Sequence, residues 1–236
     1  MSVAETSIPD TTVEAVARTL YKETHQYGFR QVDYLRFANH LLDMAMRNGD
    51  KDSHLKGEPI VYHSPVPLCM PLEGNDVRIR EFEEPKDRAL FDKWIDEKHG
   101  RYFLLSSISA KTLNIGEVIE SEKNILGIIT LADATPIGTM AFLDYDRWQH
   151  KAELRKLIGE VQYRGRGFAK KATELWIRYG ISSLGLKKIY LNTVDTNCRN
   201  IRLNEELGFK VEGILRNECY FDGEYHDILR MALLSE

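Results

Sequence analysis

The chain has 236 residues, of which 43% are hydrophobic and 29% charged, with a formal net charge of −4 and a pI near 6.0. This globular balance leaves ample material for a core, and the slight acidity argues against a non-specific nucleic-acid binder, which carries a basic excess or a basic face. No stretch reaches the roughly 18 apolar residues of a membrane span, and the N-terminus lacks the basic-then-apolar order of a secretory signal, so the expectation is a soluble, cytoplasmic protein.

Residues 1–10 read as a tail. Thr11 and Glu14 form a capping-box pair, and Val13, Val16, Ala17, Leu20 and Tyr21 follow at helical spacing. A second amphipathic helix is predicted from Asp33 to Arg47, with Gly49 as its stop. From Asn48 to Leu72 charge, Gly and four prolines (Pro59, Pro65, Pro67, Pro71) mark a connector. The predicted organisation is a helical extension and linker over 1–72, then a main domain over 73–236.

That domain opens with an alternating strand, Val77 to Phe82, and a helix from Lys86 to Glu97. Residues 100–123 show no clear period. Strands are predicted over Ile125–Leu131, Ile137–Asp144 and Glu153–Glu160, then a helix from Gly167 to Ser183 and a strand over Lys188–Val194. Asn197 is placed to cap a helix ending at Leu207-Gly208. Strands over Phe209–Leu215 and His226–Leu234 are joined through Asp222-Gly223. The order β-α-β-β-β-α-β-α-β-β predicts an α+β or α/β sandwich, helices over a mostly antiparallel sheet.

The segment Arg164-Gly165-Arg166-Gly167-Phe168-Ala169 places a basic, glycine-spaced turn between a strand and a helix. A helix N-terminus offers unpaired N–H groups and the positive end of its dipole, glycines let backbone approach an anion, and arginines pair with phosphate oxygens. A tight turn on a solvated face would leave the same trace. A Walker loop is absent, and the third glycine of a dinucleotide fingerprint is replaced by Lys170.

Arg164-x-x-Gly167-x-Ala169 resembles the Gln/Arg-x-x-Gly-x-Gly/Ala signature of the GNAT superfamily of N-acetyltransferases. The block Asn197-Cys198-Arg199-Asn200-Ile201-Arg202-Leu203-Asn204-Glu205-Glu206-Leu207-Gly208-Phe209 resembles the Asn-x-x-Ala/Ser-Ile-x-Leu-Tyr-x-x-x-Gly-Phe block of that family. Glu212 to Arg216, Gly223 to Asp227 and Met231 are similar to the branch holding ribosomal-protein, spermidine and nucleotide-amino-sugar acetyltransferases. The resemblance runs from Asp76 to Glu236.

It implies that acetyl-CoA lies in a gap where the strand ending near Glu160 parts from the strand at 188–194. Backbone around Ile158, Gly159 and Val161 would meet the pantetheine arm. Arg164, Gly165, Arg166, Gly167, Phe168 and Ala169 would hold the pyrophosphate, with Asn197 and Asn200 on the other side. Many members protonate the leaving thiolate with the Tyr of the second block. Here that position is Asn204, which has no titratable proton but can donate a hydrogen bond to sulfur.

Glu160 is the first candidate for the base that frees the amine, directly or through water. Its other reading is a solvated acid at a strand end. Tyr220, Tyr225 and His226 in the terminal hairpin are candidates for proton transfer, Tyr220 foremost, though residues of these types are more often packing or edge residues. The histidines show no metal spacing, and no metal is expected. Cys69, Cys198 and Cys219 form no disulfide framework and read as reduced thiols. Trp94, Trp148 and Trp176 read as core or groove-lining aromatics.

The expected activity is transfer of an acetyl group from acetyl-CoA to a primary amine by direct attack in a ternary complex. The acceptor is expected to be a small molecule, an amino sugar or a polyamine, with no nucleic-acid or membrane partner. The alternatives are a ribosomal-protein-type Nα-acetyltransferase, and an acetyl-CoA-binding module weakened by Asn204. The N-terminal helices are expected to pack on the main domain or across a homodimer interface, or to cap the acceptor pocket or dock a partner.

Overall fold

The computed structural model describes residues 10–48, 62, 67–97, 100, 103, 115–194 and 198–235. The chain divides into two compact units, Met1–Ser53 and His54–Glu236.

The first unit carries α1 (Asp10–Gln26) and α2 (Gln31–Asn48). Thr11 therefore lies inside α1 and does not cap it. The two helices meet at a short turn in which Gly28 takes φ +80°, a conformation that glycine adopts without penalty. Tyr21 and Tyr34 stack at 5.3 Å, and the Tyr34 hydroxyl accepts from Thr24 Oγ1 at 2.9 Å. Val13 and Val16 of the predicted apolar stripe are 55% and 64% exposed.

The second unit is built on one eight-stranded sheet in the order β1-β2-β3-β4-β5-β6-β8-β7. Its strands are β1 (Leu72–Glu73), β2 (Arg78–Glu81), β3 (Ile125–Thr130), β4 (Pro136–Asp146), β5 (Lys151–Ile158), β6 (Lys188–Val194), β7 (Lys210–Phe221) and β8 (Glu224–Leu234). Every neighbouring pair is antiparallel except β5 and β6. The α+β sandwich read from the element order is the architecture observed. Two elements escaped that reading: β1, and α4 (Ile115–Glu120).

The remaining helices are α3 (Arg88–Asp96), α5 (Phe168–Ser182) and α6 (Cys198–Glu206). One face of the sheet packs on α5, where Trp176 stacks on Phe142 at 5.2 Å. Gly127 makes room for that ring, since a Cβ there would lie 3.0 Å from the indole. On the other face Phe91 and Ile95 of α3 join Phe103, Leu126, Ala141 and Leu143 in a buried cluster. Trp148, read as a core or groove aromatic, is 88% exposed in the β4–β5 turn. The turn bends back through Asp146, which takes the adjoining N–H groups of Trp148 and Gln149, so the indole follows a hydrophilic turn outward.

Part of the proline-containing connector is fixed to this second unit. The Tyr62 hydroxyl donates to Leu207 O at 2.8 Å, and Leu68 exchanges two 2.7 Å hydrogen bonds with Ser183. The predicted β7–β8 turn is present at Asp222-Gly223, both at positive φ, as a two-residue hairpin turn requires. Cys69 and Cys219 are in no disulfide.

Candidate functional site

β5 and β6 pair through Lys151↔Lys188, Ala152↔Ile189 and Glu153↔Tyr190, and their register ends there. Both strands run on, β5 to Ile158 and β6 to Val194, so they part in the middle of the sheet. Two side chains of β5 span the parting. Successive strand residues point to opposite faces, and here consecutive residues Arg155 and Lys156 carry long side chains across the gap on its two faces.

On the α3 face, Arg155 Nη1 donates to Asn192 O at 3.0 Å and pairs with Glu153 Oε1 at 2.6 Å. Asn192 Nδ2 also donates to Glu153 Oε1 at 2.7 Å, and Arg230 Nε donates to Asn192 Oδ1 at 3.0 Å. Glu153 and Arg155 are buried side chains, and a charge pair survives burial only with such additional hydrogen bonds. On the α5 and α6 face, Lys156 Nζ donates to Asn204 Oδ1. Asn204 is wholly buried, and its Nδ2 has no hydrogen-bond partner among the described residues. Burial pulls the Lys156 ammonium down to about pKa 7.

Beyond Ile158 the chain makes a single 3-10 turn at Val161–Tyr163 and enters α5 through the glycine turn. Gly165 and Gly167 take φ +73° and +84°, with open space where a Cβ would stand. Gly167 is the N-cap of α5 and supplies no side-chain cap, so the cap residue leaves the first N–H groups of the helix, at Phe168 and Ala169, without a side-chain acceptor. Arg166 is exposed, lying 5.8 Å from the ring centres of both Tyr163 and Phe168.

Arg164 behaves differently. Its guanidinium folds back on its own strand, donating to Ile158 O and Gly159 O at 2.8 Å each and to Glu97 at 2.7 Å. It braces the strand end against α3, and the charge left to face the turn comes from Arg166.

Glu160 is similarly engaged. Its Oε1 accepts from Lys93 Nζ and from Trp94 Nε1, both at 2.9 Å. These two hydrogen bonds, Lys93's first, hold its carboxyl below the usual range, the reverse of the upward tuning that suits a general base. Gly159 lies against the Trp94 indole, leaving no room for a Cβ. Val161 is 60% exposed at the rim of the gap.

Asn200 Nδ2 donates to Thr193 Oγ1 at 3.2 Å, tying α6 to the end of β6. Asn197 lies outside the described residues. Tyr220 is 53% exposed and meets the Tyr225 ring at 5.0 Å. β6 pairs β8 only from Ile228 to Leu234, so the hairpin carries Tyr220 and Tyr225 past the end of β6 where the strands have parted. His226 is stacked on Phe221 at 3.6 Å, with Nε2 3.1 Å from Phe221 O, which makes it a packing residue of the hairpin.

The residues that sequence reasoning missed are Lys93, Glu97, Lys156 and the Glu153–Arg155–Asn192–Arg230 network, whereas Trp94, read as a core or groove-lining aromatic, is wholly buried beside the strand end. Among the described residues no group of three or more His, Cys, Asp or Glu side chains could hold a metal ion, and no helix is long and apolar enough to cross a membrane.

Comparison with known proteins agrees with this geometry. The family described as Acetyltransferase (GNAT) domain matches residues 75–210. Spermidine N(1)-acetyltransferase of Escherichia coli (strain K12) is 27% identical over 164 residues, 69% of this chain and 83% of that enzyme. The spermidine N(1)-acetyltransferase of Vibrio cholerae serotype O1 is 26% identical over 168 residues, 69% of this chain and 90% of that enzyme. The crystal structure of spermidine N-acetyltransferase from Vibrio cholerae in complex with CoA and spermine superposes with a TM-score of 0.57 at 24% identity, over 67% of this chain and 95% of that one.

Proposed function

Given that the chain belongs to the GNAT acetyltransferase family and is an acetyl-CoA-dependent N-acetyltransferase, we propose that it acetylates a primary amine of a polyamine of the spermidine or spermine kind. The observation that carries the reading is the parting of β5 and β6 beside an uncapped helix entered through two positive-φ glycines. The names of the relatives narrow the acceptor from amines at large to polyamines. Exposed Glu218, Asp222 and Glu224 on the hairpin beyond the gap add a field that attracts a polycation.

The residues fit acetyl-CoA. A gap in a sheet offers partners to an extended amide chain; the carbonyls of Ile158 to Val161 already accept from Arg164 and Tyr163, so N–H groups of that stretch are the partners assigned to it. The N–H groups at Phe168 and Ala169, with Arg166, suit a pyrophosphate, and the buried Nδ2 of Asn204 is a donor in want of an acceptor. Acetyl-CoA supplies an activated acetyl group as co-substrate; the protein binds it, orients the amine and handles protons. Asn200 holds the start of α6 to β6 beside that arm. Arg164 and Glu160 act as braces of the strand end, and Tyr220 as a wall of the acceptor site.

The test is thiol release from acetyl-CoA against spermidine, spermine, amino sugars and peptide N-termini. Turnover with the polyamines, at kcat/KM well above that for sugars or peptides, is expected. Turnover confined to peptides would favour the ribosomal-protein reading, and protection of the fold by acetyl-CoA without turnover on any amine would favour a binding module.

A further inference from the structure

We propose that Lys156 is the proton donor to the leaving thiolate, with Asn204 as the residue that positions it. The inference rests on the acetyl-transfer reading and deepens it. Asn204 stands where the family pattern has a tyrosine, and an amide cannot supply a proton. The side chain that reaches Asn204 is an ammonium with three donors, carried on β5 beyond the last β5–β6 pair. The missing acidic proton of α6 is thus found one hydrogen bond away, on the opposite wall of the gap.

The surroundings suit the task. Met140 is the cross-strand partner of Lys156 on β4, Leu154 and Ile158 are its same-face neighbours along β5, and Asn204 meets it from α6. These neighbours are uncharged, so no carboxylate among them holds the proton in place, and burial is the cause of the fall to about 7. Lys156 keeps partial exposure, which lets the proton be replaced. A thiol ordinarily titrates near ~8.5, so transfer from this ammonium to a thiolate runs downhill.

The step balances as follows. The neutral acceptor nitrogen forms a bond to the acetyl carbonyl carbon, and the carbon–sulfur bond breaks with its electron pair passing to sulfur. Lys156 Nζ gives its proton to that sulfur and is left neutral. The new amide nitrogen sheds a proton to water, and Lys156 regains one from water, so the enzyme returns to its starting state. Asn204 Oδ1 fixes the direction of Nζ, and its Nδ2 remains free to donate toward the sulfur.

The experiment compares wild type, Lys156→Met and Asn204→Asp in the full chain. Their readouts are kcat against pH with spermidine, CoA affinity by calorimetry, and the NMR titration of the Lys156 side chain in the free protein. Lys156→Met is expected to lower kcat by about 100-fold, to leave CoA affinity and KM for spermidine within a few-fold, and to erase the descending alkaline limb of the wild-type profile. Asn204→Asp places a carboxylate beside the ammonium, so limb and NMR midpoint are both expected to move up by about one pH unit or more. That variant keeps Lys156 and decides the matter if Lys156→Met does not fold.

An unchanged limb in Asn204→Asp, a wild-type kcat in Lys156→Met, or an NMR midpoint near the ordinary lysine value of ~10.4 would each overturn the assignment. If wild type itself released no thiol with any amine, the acetyl-transfer reading would fall first and this role with it.

Discussion

Gly159 lies flat against the indole of Trp94: a Cβ at that glycine would stand 2.2 Å from the ring, and the same indole donates its N–H to the next residue, Glu160. Strand end and α3 are thereby locked through one ring, and Trp94 is wholly buried and cannot swing aside. Gly159→Ala is expected to cost about 1–3 kcal/mol through overpacking and to weaken acetyl-CoA binding, since the strand end lines the gap. Chemical denaturation and calorimetry together check both.

Glu160→Gln separates brace from base. The folded pKa of Glu160 is lowered, so its ionised form favours the native state. That contribution is present above the unfolded carboxyl pKa and is lost as pH falls through the lower, folded one. The variant is expected to be about 1 kcal/mol less stable than wild type at pH 7, with the difference closing in acid, and to keep kcat within several-fold. A loss of about 100-fold or more in kcat with intact stability would restore Glu160 as the base.

Arg155→Met takes the 2.6 Å ion pair away from the buried Glu153 carboxylate. Removing one member of such a pair costs about 3–5 kcal/mol. The double variant Glu153→Gln with Arg155→Met is expected to recover part of it, as a double-mutant cycle on unfolding free energies would show.

Gly167→Ala tests the turn. The space there is open, so the cost is conformational, about 1–2 kcal/mol for an L residue forced to positive φ. Relaxation of the turn would move the Phe168 and Ala169 N–H groups, and acetyl-CoA affinity is expected to fall by more than the unfolding free energy alone suggests, as read by isothermal titration.

Chains shortened to begin at His54 and at Pro67 are expected to differ in stability by about 2 kcal/mol, because only the longer one retains the buried Tyr62 ring and its hydrogen bond to Leu207. Equal melting would show that the connector contributes nothing.

Periodicity carried most of the fold. The strand Lys188–Val194 and the helix after the glycine turn lie where alternation and the apolar stripe put them, because burial of one face writes itself directly into the residue pattern. The two-residue β1 and six-residue α4 are too short to show a period. The glycine turn was legible because positive φ demands a particular residue type. Lys156 was not, since a lysine in a strand reads as solvated until a partner 48 residues away closes over it. Arg164 misled for the same reason: sequence gives a charge, whereas only packing gives its direction.

The parted strands also bear on the stability of the fold. Leu154 to Ile158 and Leu191 to Val194 hold two rows of backbone that do not pair with each other, and on the proposed reading the extended arm of acetyl-CoA would lie between them. A ligand that binds only the folded form adds about 2.7 kcal/mol when present at a hundred times its Kd. Acetyl-CoA would then raise the melting temperature of the protein as well as feed its reaction.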